Sequence, residues 1–561
     1  MSIKIVLAQV NLLVGDIAGN TNLVLHHAIR ACKDYQGHII IFPELTLTGY
    51  PPEDLLLRPE LHQRIEQALD KLLAAKLDIA IILGYPRQYA AKLYNCAGVI
   101  YNGKILAEYR KQALPNYGVF DEQRYFHQGT QPGLCTIANI PLALTICEDI
   151  WLSQPAQQAK AAGAKLLINI NASPFNVGKA AIRENNVRQR VHETNLPIIY
   201  LNLVGGQDEL VFDGNSFVMD ADGTIVQRGP HCLNSDMLLE ITTPASNTDT
   251  AITNQSLILK PVSAPDIPRN NNYVKQDVEF IYQAIVLGIQ DYVTKNGFKG
   301  AILGLSGGID SALTLALAVD ALGPANVEAV LMPSPYTAAM SNEDAVAEAQ
   351  ALGVIWHTIA IESVFQNFLD LLAPSFVGYP ADVTEENIQA RCRGIILMAL
   401  SNKTGKILLT TGNKSELSVG YATLYGDMAG GFAPIKDVFK TMVYQLAEYR
   451  NSIAAVIPKR VLERPPSAEL RPNQTDQDSL PDYPTLDLIL QLYVEQDQSV
   501  TDIVNATKFA PEMVYQVTRL VDRSEYKRRQ APPGVRITSR AFGRDRRYPL
   551  TNGFNLTPNL T

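Results

Sequence analysis

Gly304-Leu305-Ser306-Gly307-Gly308-Ile309-Asp310-Ser311 is a run of small residues between a strand-like segment, AILG, and a helix-like one, ALTLALAVDALG. Small residues let the backbone approach an anion, and the following helix N-terminus adds N–H donors and a positive dipole. The run lacks the Lys-Ser/Thr ending of a Walker A loop, and Ser306 stands where a Rossmann fingerprint has its second glycine. On the glycines alone, a tight turn capped by Ser311 or Asp310 explains it equally well.

A second chemistry needs three residue types. Amide cleavage takes a thiolate nucleophile, a base for its proton and a cation for the tetrahedral oxyanion. Cys147 in LALTICEDIW, Glu44 in IFPELTLTGYPPEDLL and Lys111 in AEYRKQALPNYGVFDEQRYF are of those types. Cys147 and Glu44 follow strand-like runs and Lys111 ends a hairpin; such positions assemble α/β sites. A nearby lysine also lowers a thiol pKa. Taken singly, each has a plain reading as core cysteine, loop glutamate or surface lysine. Spacing alone does not join them.

The elements that must position these residues alternate β and α signals. Residues 1–241 carry strand-like IKIVLAQV, HIIIFPEL, IAIILGY, PLALTICED, AKLLININ and LPIIYLNLV, with LHQRIEQALDKLLAAK as a helix. Asn102-Gly103 between CAGVIY and KILAEYR predicts a tight hairpin, hence a mixed sheet. Residues 242–275 hold prolines among many Ser, Thr and Asn and read as a linker. A second α/β region follows at 276–548, where AILGLS, VEAVLMP and KILLTTG read as strands of one parallel sheet. Residues 464–484 contain five prolines, a long loop of the kind that serves as a lid, and 549–561 form a tail.

At 561 residues the chain has room for several domains, and 47 % hydrophobic residues supply ample core. A net charge of −8 argues against a dedicated nucleic-acid or anionic-membrane binder. Six scattered cysteines without a C-x-x-C pair exclude a disulfide framework and make structural zinc a poor expectation. The sequence has no membrane-length apolar run and starts directly on a strand pattern, so the expectation is a cytoplasmic protein.

SGGIDS after a strand resembles the pyrophosphate loop of N-type ATP pyrophosphatases. ENIQARCRGIILMALSN (386–402), TTGNKSELSVGYATLYGDMAGGFAPIKDVFK (410–440), RPPSAELRPNQTDQDSLPDY (464–483) and EYKRRQAPPGVRI (525–537) resemble the NAD synthetase branch of that superfamily. FPEL…GYPPEDLL, YRKQALPNYGVFDEQRYF and CEDIW resemble the nitrilase superfamily in the form fused to NAD synthetase. Together the two resemblances cover about 1–240 and 276–548.

The resemblance implies an αββα sandwich followed by a Rossmann-like parallel-sheet pyrophosphatase. It implies Glu44 as general base, Lys111 as oxyanion support and Cys147 as nucleophile, with glutamine held near Tyr117, Ser173 and Lys179. ATP would lie on Gly304, Leu305, Ser306, Gly307, Gly308, Ile309, Asp310 and Ser311, near Thr411. Deamido-NAD would lie near Asn387, Glu416 and Lys527, with Mg²⁺ shared by Asp310 and Glu416 and Lys440 on a phosphate. The basic stretch 523–547, nine Lys/Arg against two acids, would lie over that site. The implied activity is ATP-dependent amidation of deamido-NAD with ammonia from L-glutamine, or free ammonia, in a homo-oligomer without nucleic-acid or membrane partners. An amidase fused to another AMP-forming ligase, a nucleotide sensor and an RNA-modifying pyrophosphatase are the competing readings. The retained Glu44, Lys111, Cys147 and Asp310 weigh against a sensor, and the net charge against RNA.

Overall fold

A computed structural model describes residues 2–242, 257–262, 273–467, 469–471, 474–478 and 480–554. Most of the expected linker 242–275 and the end of the tail, 555–561, lie outside the described residues. The chain divides into two compact units, 1–207 with 211–271 and 208–210 with 272–561.

The first unit has two large sheets. Strands β1 (Ser2–Gln9), β2 (Ile39–Ile41), β3 (Ala80–Tyr89), β4 (Lys92–Tyr101) and β5 (Lys104–Arg110) share one. Then come β6 (Gly133–Ile137), β7 (Ile140–Ile146), β8 (Leu166–Asn171), β9 (Ile198–Asn202), β10 (Val204–Gln207), β11 (Leu210–Asp213), β12 (Phe217–Met219), β13 (Ile225–Arg228), β14 (Ser235–Thr242) and β15 (Ile258–Pro261). The sheet orders are β15-β14-β1-β2-β3-β4-β5 and β13-β12-β9-β8-β7-β6, with β10-β11 a separate ribbon. Both large sheets are mixed: β1-β2-β3 and β7-β8-β9 run parallel while their flanks are antiparallel. Asn102 and Gly103 turn the β4-β5 hairpin with φ of 46° and 77°, the left-handed pair such a two-residue turn requires. Among the described residues of the expected linker, β15 pairs with β14 and a helix begins at Tyr273.

Leu7, Ile41, Ile82 and Val99 of one sheet meet Leu144, Ile168, Leu201 and Val218 of the other in a single apolar cluster. Helices α3 (Ser153–Ala161) and α4 (Lys179–Thr194) cover the second sheet through Ala156, Ala159, Val187 and Val191. Helices α1 (Ile17–Tyr35) and α2 (Pro59–Ala74) lie on the first. The result is the four-layer αββα sandwich. Covered on both faces, β8 (LLININ) is buried throughout, as a central parallel strand must be.

The second unit is built on four parallel strands in the order β18-β17-β16-β19: β16 (Ala301–Gly304), β17 (Val327–Leu331), β18 (Ile355–Thr358) and β19 (Ile407–Leu408). Its helices include α5 (Tyr273–Lys295), α6 (Ile309–Leu322), α7 (Ala339–Leu352), α8 (Glu362–Leu372), α9 (Val383–Thr404), α10 (Lys414–Val419) and α11 (Lys440–Ile453). Ile302, Val330 and Leu408 pack against Phe365 of α8 and Ile388 and Leu397 of α9. A separate cluster, with Val419, Leu486, Ile489, Val514 and Phe542, joins the C-terminal helices. The run 304–311 is the connection from β16 into α6, at the carboxyl edge of the sheet where α/β sites form.

Candidate active sites

In the first unit, sequence-distant residues meet at strand ends. Glu44 lies just beyond β2 and is fully buried. Its Oε1 accepts from Lys111 Nζ at 2.7 Å and Asn95 Nδ2 at 2.8 Å; its Oε2 accepts the Ala172 N–H at 3.0 Å. The backbone passes so close here that a Cβ on Gly84 would sit 2.2 Å from the Leu45 nitrogen, so only glycine fits. Lys111, one residue past β5, also donates to Glu122 Oε1 at 2.8 Å, and Tyr50 donates to that oxygen at 3.0 Å.

Cys147 follows β7 at φ 45° and opens a short 3₁₀ turn. That conformation costs a non-glycine residue about 1–3 kcal/mol and persists only where the surroundings hold it. Asp149 does the holding. Its carboxylate accepts the N–H groups of Ile146 (2.9 Å), Gln112 (3.0 Å) and Ala113 (2.7 Å) and the Tyr109 hydroxyl (2.7 Å). It thus fastens the cysteine turn to the segment carrying Lys111.

Electrostatics follow from burial. Desolvation raises the Cys147 thiol well above its usual range; Glu44 adds to this and Lys111 opposes it. The group therefore rests as a thiol and needs a base. Burial alone would lower the Lys111 ammonium, but Glu122 and Glu44 reverse this and keep it charged. Burial also lifts Glu122 to about 7, against the pull of Lys111. Sequence reasoning did not single out Glu122: nothing in VFDEQRYF distinguishes it from its partly buried neighbour Asp121.

Of the residues expected at the glutamine pocket, Ser173 is buried, and Arg183 holds it by Nε–H to Oγ at 3.1 Å and Nη2–H to its carbonyl at 2.7 Å. Arg183 is itself buried against Asp213 at 2.8 Å. Removing one partner of such a pair costs about 3–5 kcal/mol. Tyr117 is half exposed and donates to Glu148, next to the cysteine, at 2.9 Å. Lys179 begins α4 with its ammonium 4.6 Å from the Trp151 ring centre, on the turn after Cys147.

In the second unit a cavity of about 410 Å³ is lined by Gly304–Ser306, Gly308–Ser311, Thr411, Glu416 and Lys440. Gly307 has φ 77°, and a Cβ there would lie 2.2 Å from the Ser341 carbonyl oxygen. Ser311 Oγ donates to the Gly308 carbonyl at 2.9 Å and accepts the Ser306 N–H at 3.2 Å, closing the loop on itself. Asp310 accepts from Asn413 Nδ2 at 2.9 Å and from Lys440 Nζ, which also reaches Glu416 at 3.2 Å. Asn413 Oδ1 meanwhile caps α10 at the Glu416 N–H, so one amide positions both carboxylates. Burial, opposed by Lys440, lifts Glu416 to about 8.

Two carboxylates bridged by one ammonium fit a hard cation, and Mg²⁺ needs only one or two protein carboxylates when phosphates supply the rest. Among the described residues no cluster of three or more His, Cys, Asp or Glu side chains forms a self-sufficient metal cage.

Asn387 on α9 accepts from Thr423 Oγ1 at 2.8 Å, and Thr423 lines the cavity beside Asp427, whose carboxyl burial pushes to about 6. Lys527 donates to the carbonyls of Gly420 and Ala422, each at 2.7 Å, and burial lowers its pKa. Several cations of the basic stretch 523–547 are paired within the protein. Arg528 and Arg529 pair with Glu525, Arg536 with Asp545 and Arg546 with Asp522, so these cations hold the tail together. From the loop 464–484, Arg464 donates to Ser341 Oγ at 2.8 Å and to the Gly307 carbonyl, while Glu469 accepts from Ser341 Oγ at 2.6 Å.

The carbon-nitrogen hydrolase family matches residues 4–232 and the NAD synthase family residues 281–531. The chain is 47 % identical over 558 residues to the glutamine-dependent NAD(+) synthetase of Xanthomonas campestris, covering 99 % of this chain and 98 % of that one. It is 43 % identical over 572 residues to the enzyme of that name from Thermotoga maritima, covering 98 % and 99 %. The solved glutamine-dependent NAD⁺ synthetase of Acinetobacter baumannii, in complex with ADP, is 45 % identical, with a TM-score of 0.77 and both chains covered fully. The fold also matches a glutamine-dependent NAD(+) synthetase from Cytophaga hutchinsonii at 22 % identity and a TM-score of 0.81, over 99 % and 98 % of the two chains. Two buried polar centres, on an αββα sandwich and on a parallel sheet, thus occur in a sequence related to these proteins from end to end: the chain belongs to the glutamine-dependent NAD(+) synthetase family.

Proposed function

We propose that this protein amidates deamido-NAD to NAD, consuming ATP and glutamine. We assign glutamine hydrolysis to residues 1–241 and synthesis to 276–548. The observation that carries the reading is the buried Glu44–Lys111–Glu122 network close to the buried Cys147.

At the first site Glu44 takes the thiol proton as Cys147 Sγ attacks the glutamine carbonyl carbon. Lys111, an ammonium with two hydrogens on carboxylates, offers its third to the oxyanion. Glu44 returns the proton to the leaving nitrogen, and ammonia departs from a thioester. Glu44 then deprotonates a water that attacks the thioester; glutamate leaves and Sγ regains the proton. Tyr117, Ser173 and Lys179 hold the amino acid end of glutamine.

At the second site the 304–311 loop and Thr411 bind ATP. Asn387, Glu416 and Lys527 bind deamido-NAD. Its nicotinate carboxylate attacks the α-phosphorus, forming an acyl-adenylate and releasing pyrophosphate; ammonia then displaces AMP. Asp310 and Glu416 would hold Mg²⁺, which when bound neutralises charge on the phosphates. Lys440, now between those carboxylates, is within reach of the same phosphates. Residues 464–484 exclude water from the adenylate.

Leu371, Val377, Tyr379, Val383 and Ile395 are exposed on the second unit, and self-association into a homo-oligomer is part of this proposal. Among the described residues no helix is long and apolar enough to cross a membrane. All six cysteines are free, which suits the reducing cytoplasm.

The test is NAD and AMP formation from ATP, Mg²⁺, deamido-NAD and glutamine, omitting each in turn. Equal NAD and AMP that need glutamine or ammonia support the assignment. No NAD from either nitrogen source, in folded protein, overturns it.

A further inference from the structure

Three cations line the 410 Å³ cavity: Arg393, Lys440 and Arg464. Two are engaged within the protein. Lys440 is held by Asp310 and Glu416, and Arg464 by the Gly307 carbonyl and Ser341. Arg393 differs. Its Nε–H donates to the Met332 carbonyl at 3.1 Å, and among the described residues no carboxylate lies within ion-pair distance of its guanidinium. Burial lowers its pKa, and Cys392 and the more distant Glu469 offset this only in part, so keeping a cation there carries a cost.

The placement is fixed. Gly394, the next residue, packs so tightly that a Cβ would lie 2.7 Å from the Tyr425 carbonyl oxygen, which locks this turn of α9 in place. Met332, which anchors Arg393, also flanks Gly304, the first residue of the phosphate loop: a Cβ there would lie 3.1 Å from Met332 Cε. Arg393 is thus a planar donor fork, tethered through Nε, in the lining of the same cavity as the 304–311 loop. A guanidinium in that setting pairs with phosphate oxygens.

We infer that Arg393 is a nucleotide-binding residue whose Nη groups take the phosphate oxygens of ATP and then of pyrophosphate. This rests on the assignment of ATP to the 304–311 loop. It makes Arg393 the cation available to the incoming phosphates before Lys440 or Arg464 exchanges its partners.

The test uses full-length wild type, Arg393→Gln and Arg393→Lys in ammonia-supported NAD formation. The ATP KM and the pyrophosphate inhibition constant should each rise by about 10- to 100-fold in Arg393→Gln, the loss expected for a charge-assisted hydrogen bond. The deamido-NAD KM should stay within about threefold, which is under 1 kcal/mol. Arg393→Lys keeps the charge and should show a smaller rise; it decides the matter if the glutamine variant does not fold. Unchanged pyrophosphate inhibition in an active Arg393→Lys and Arg393→Gln pair overturns the inference, as does a loss confined to deamido-NAD. If wild type makes no AMP from ATP and deamido-NAD, the assignment of ATP to this loop falls, and the inference with it.

Discussion

The Asp149 carboxylate accepts the Ala113 N–H at 2.7 Å, tying the turn that begins at Cys147 to the segment that carries Lys111. Asp149→Asn replaces one acceptor oxygen by a donor among three N–H groups and a hydroxyl. The thiol and ammonium then lose their common anchor. Glutamine-supported NAD formation should fall by about 100-fold, as misplacement near 1 Å commonly costs. Ammonia-supported formation should not change. Parallel rates with the two nitrogen sources check this.

Cys147→Ala removes the nucleophile and leaves the second unit untouched. Glutamine-supported synthesis should disappear while ammonia-supported synthesis persists. Loss of both would contradict the division of labour between the units.

Burial pushes the Glu122 carboxyl up to about 7, and its carboxylate is one of two that hold Lys111. Glutaminase kcat/KM should therefore rise with pH through about 7, and Glu122→Gln should abolish that limb and lower the plateau by about 10- to 100-fold. Stability runs the other way. The raised folded pKa makes this group's contribution full below its ordinary 4.5 and lost as pH climbs through about 7. A pH–rate profile and a pH–melting series on both proteins separate the two effects.

Gly307→Ala places a methyl 2.2 Å from the Ser341 carbonyl oxygen, at a φ of 77°. The loop must shift, and left-handed backbone costs alanine about 1–2 kcal/mol more than glycine. Synthesis should fall by about tenfold or more with either nitrogen source, as that energy alone implies. Glutamine hydrolysis assayed by glutamate release should survive.

Local features of the fold were readable. The Asn102-Gly103 turn, the buried runs of β8 and β16 and the glycine loop all depend on neighbours in sequence. Residue types at Glu44, Lys111 and Cys147 suggested the chemistry, but family resemblance was needed to bring them together. Glu122, Asp149 and Asn413 escaped notice because their importance is purely tertiary: each is an ordinary polar residue until the chain folds two segments onto it. The pairing inside the basic stretch was hidden for the same reason. Its charge could be counted, but its pairing with Glu525, Asp522 and Asp545 could not.

Strand β15 decides where this chain can be divided. Composition suggests a cut near 242, but Ile258–Pro261 covers the side of β14 that β1 leaves open. A fragment ending at 242 would present a bare eight-residue edge, with its amides and carbonyls unpaired and ready to recruit another molecule. One ending after 262 would carry its own edge strand. Separate expression of the two activities thus depends on some twenty residues that sequence composition marks as dispensable.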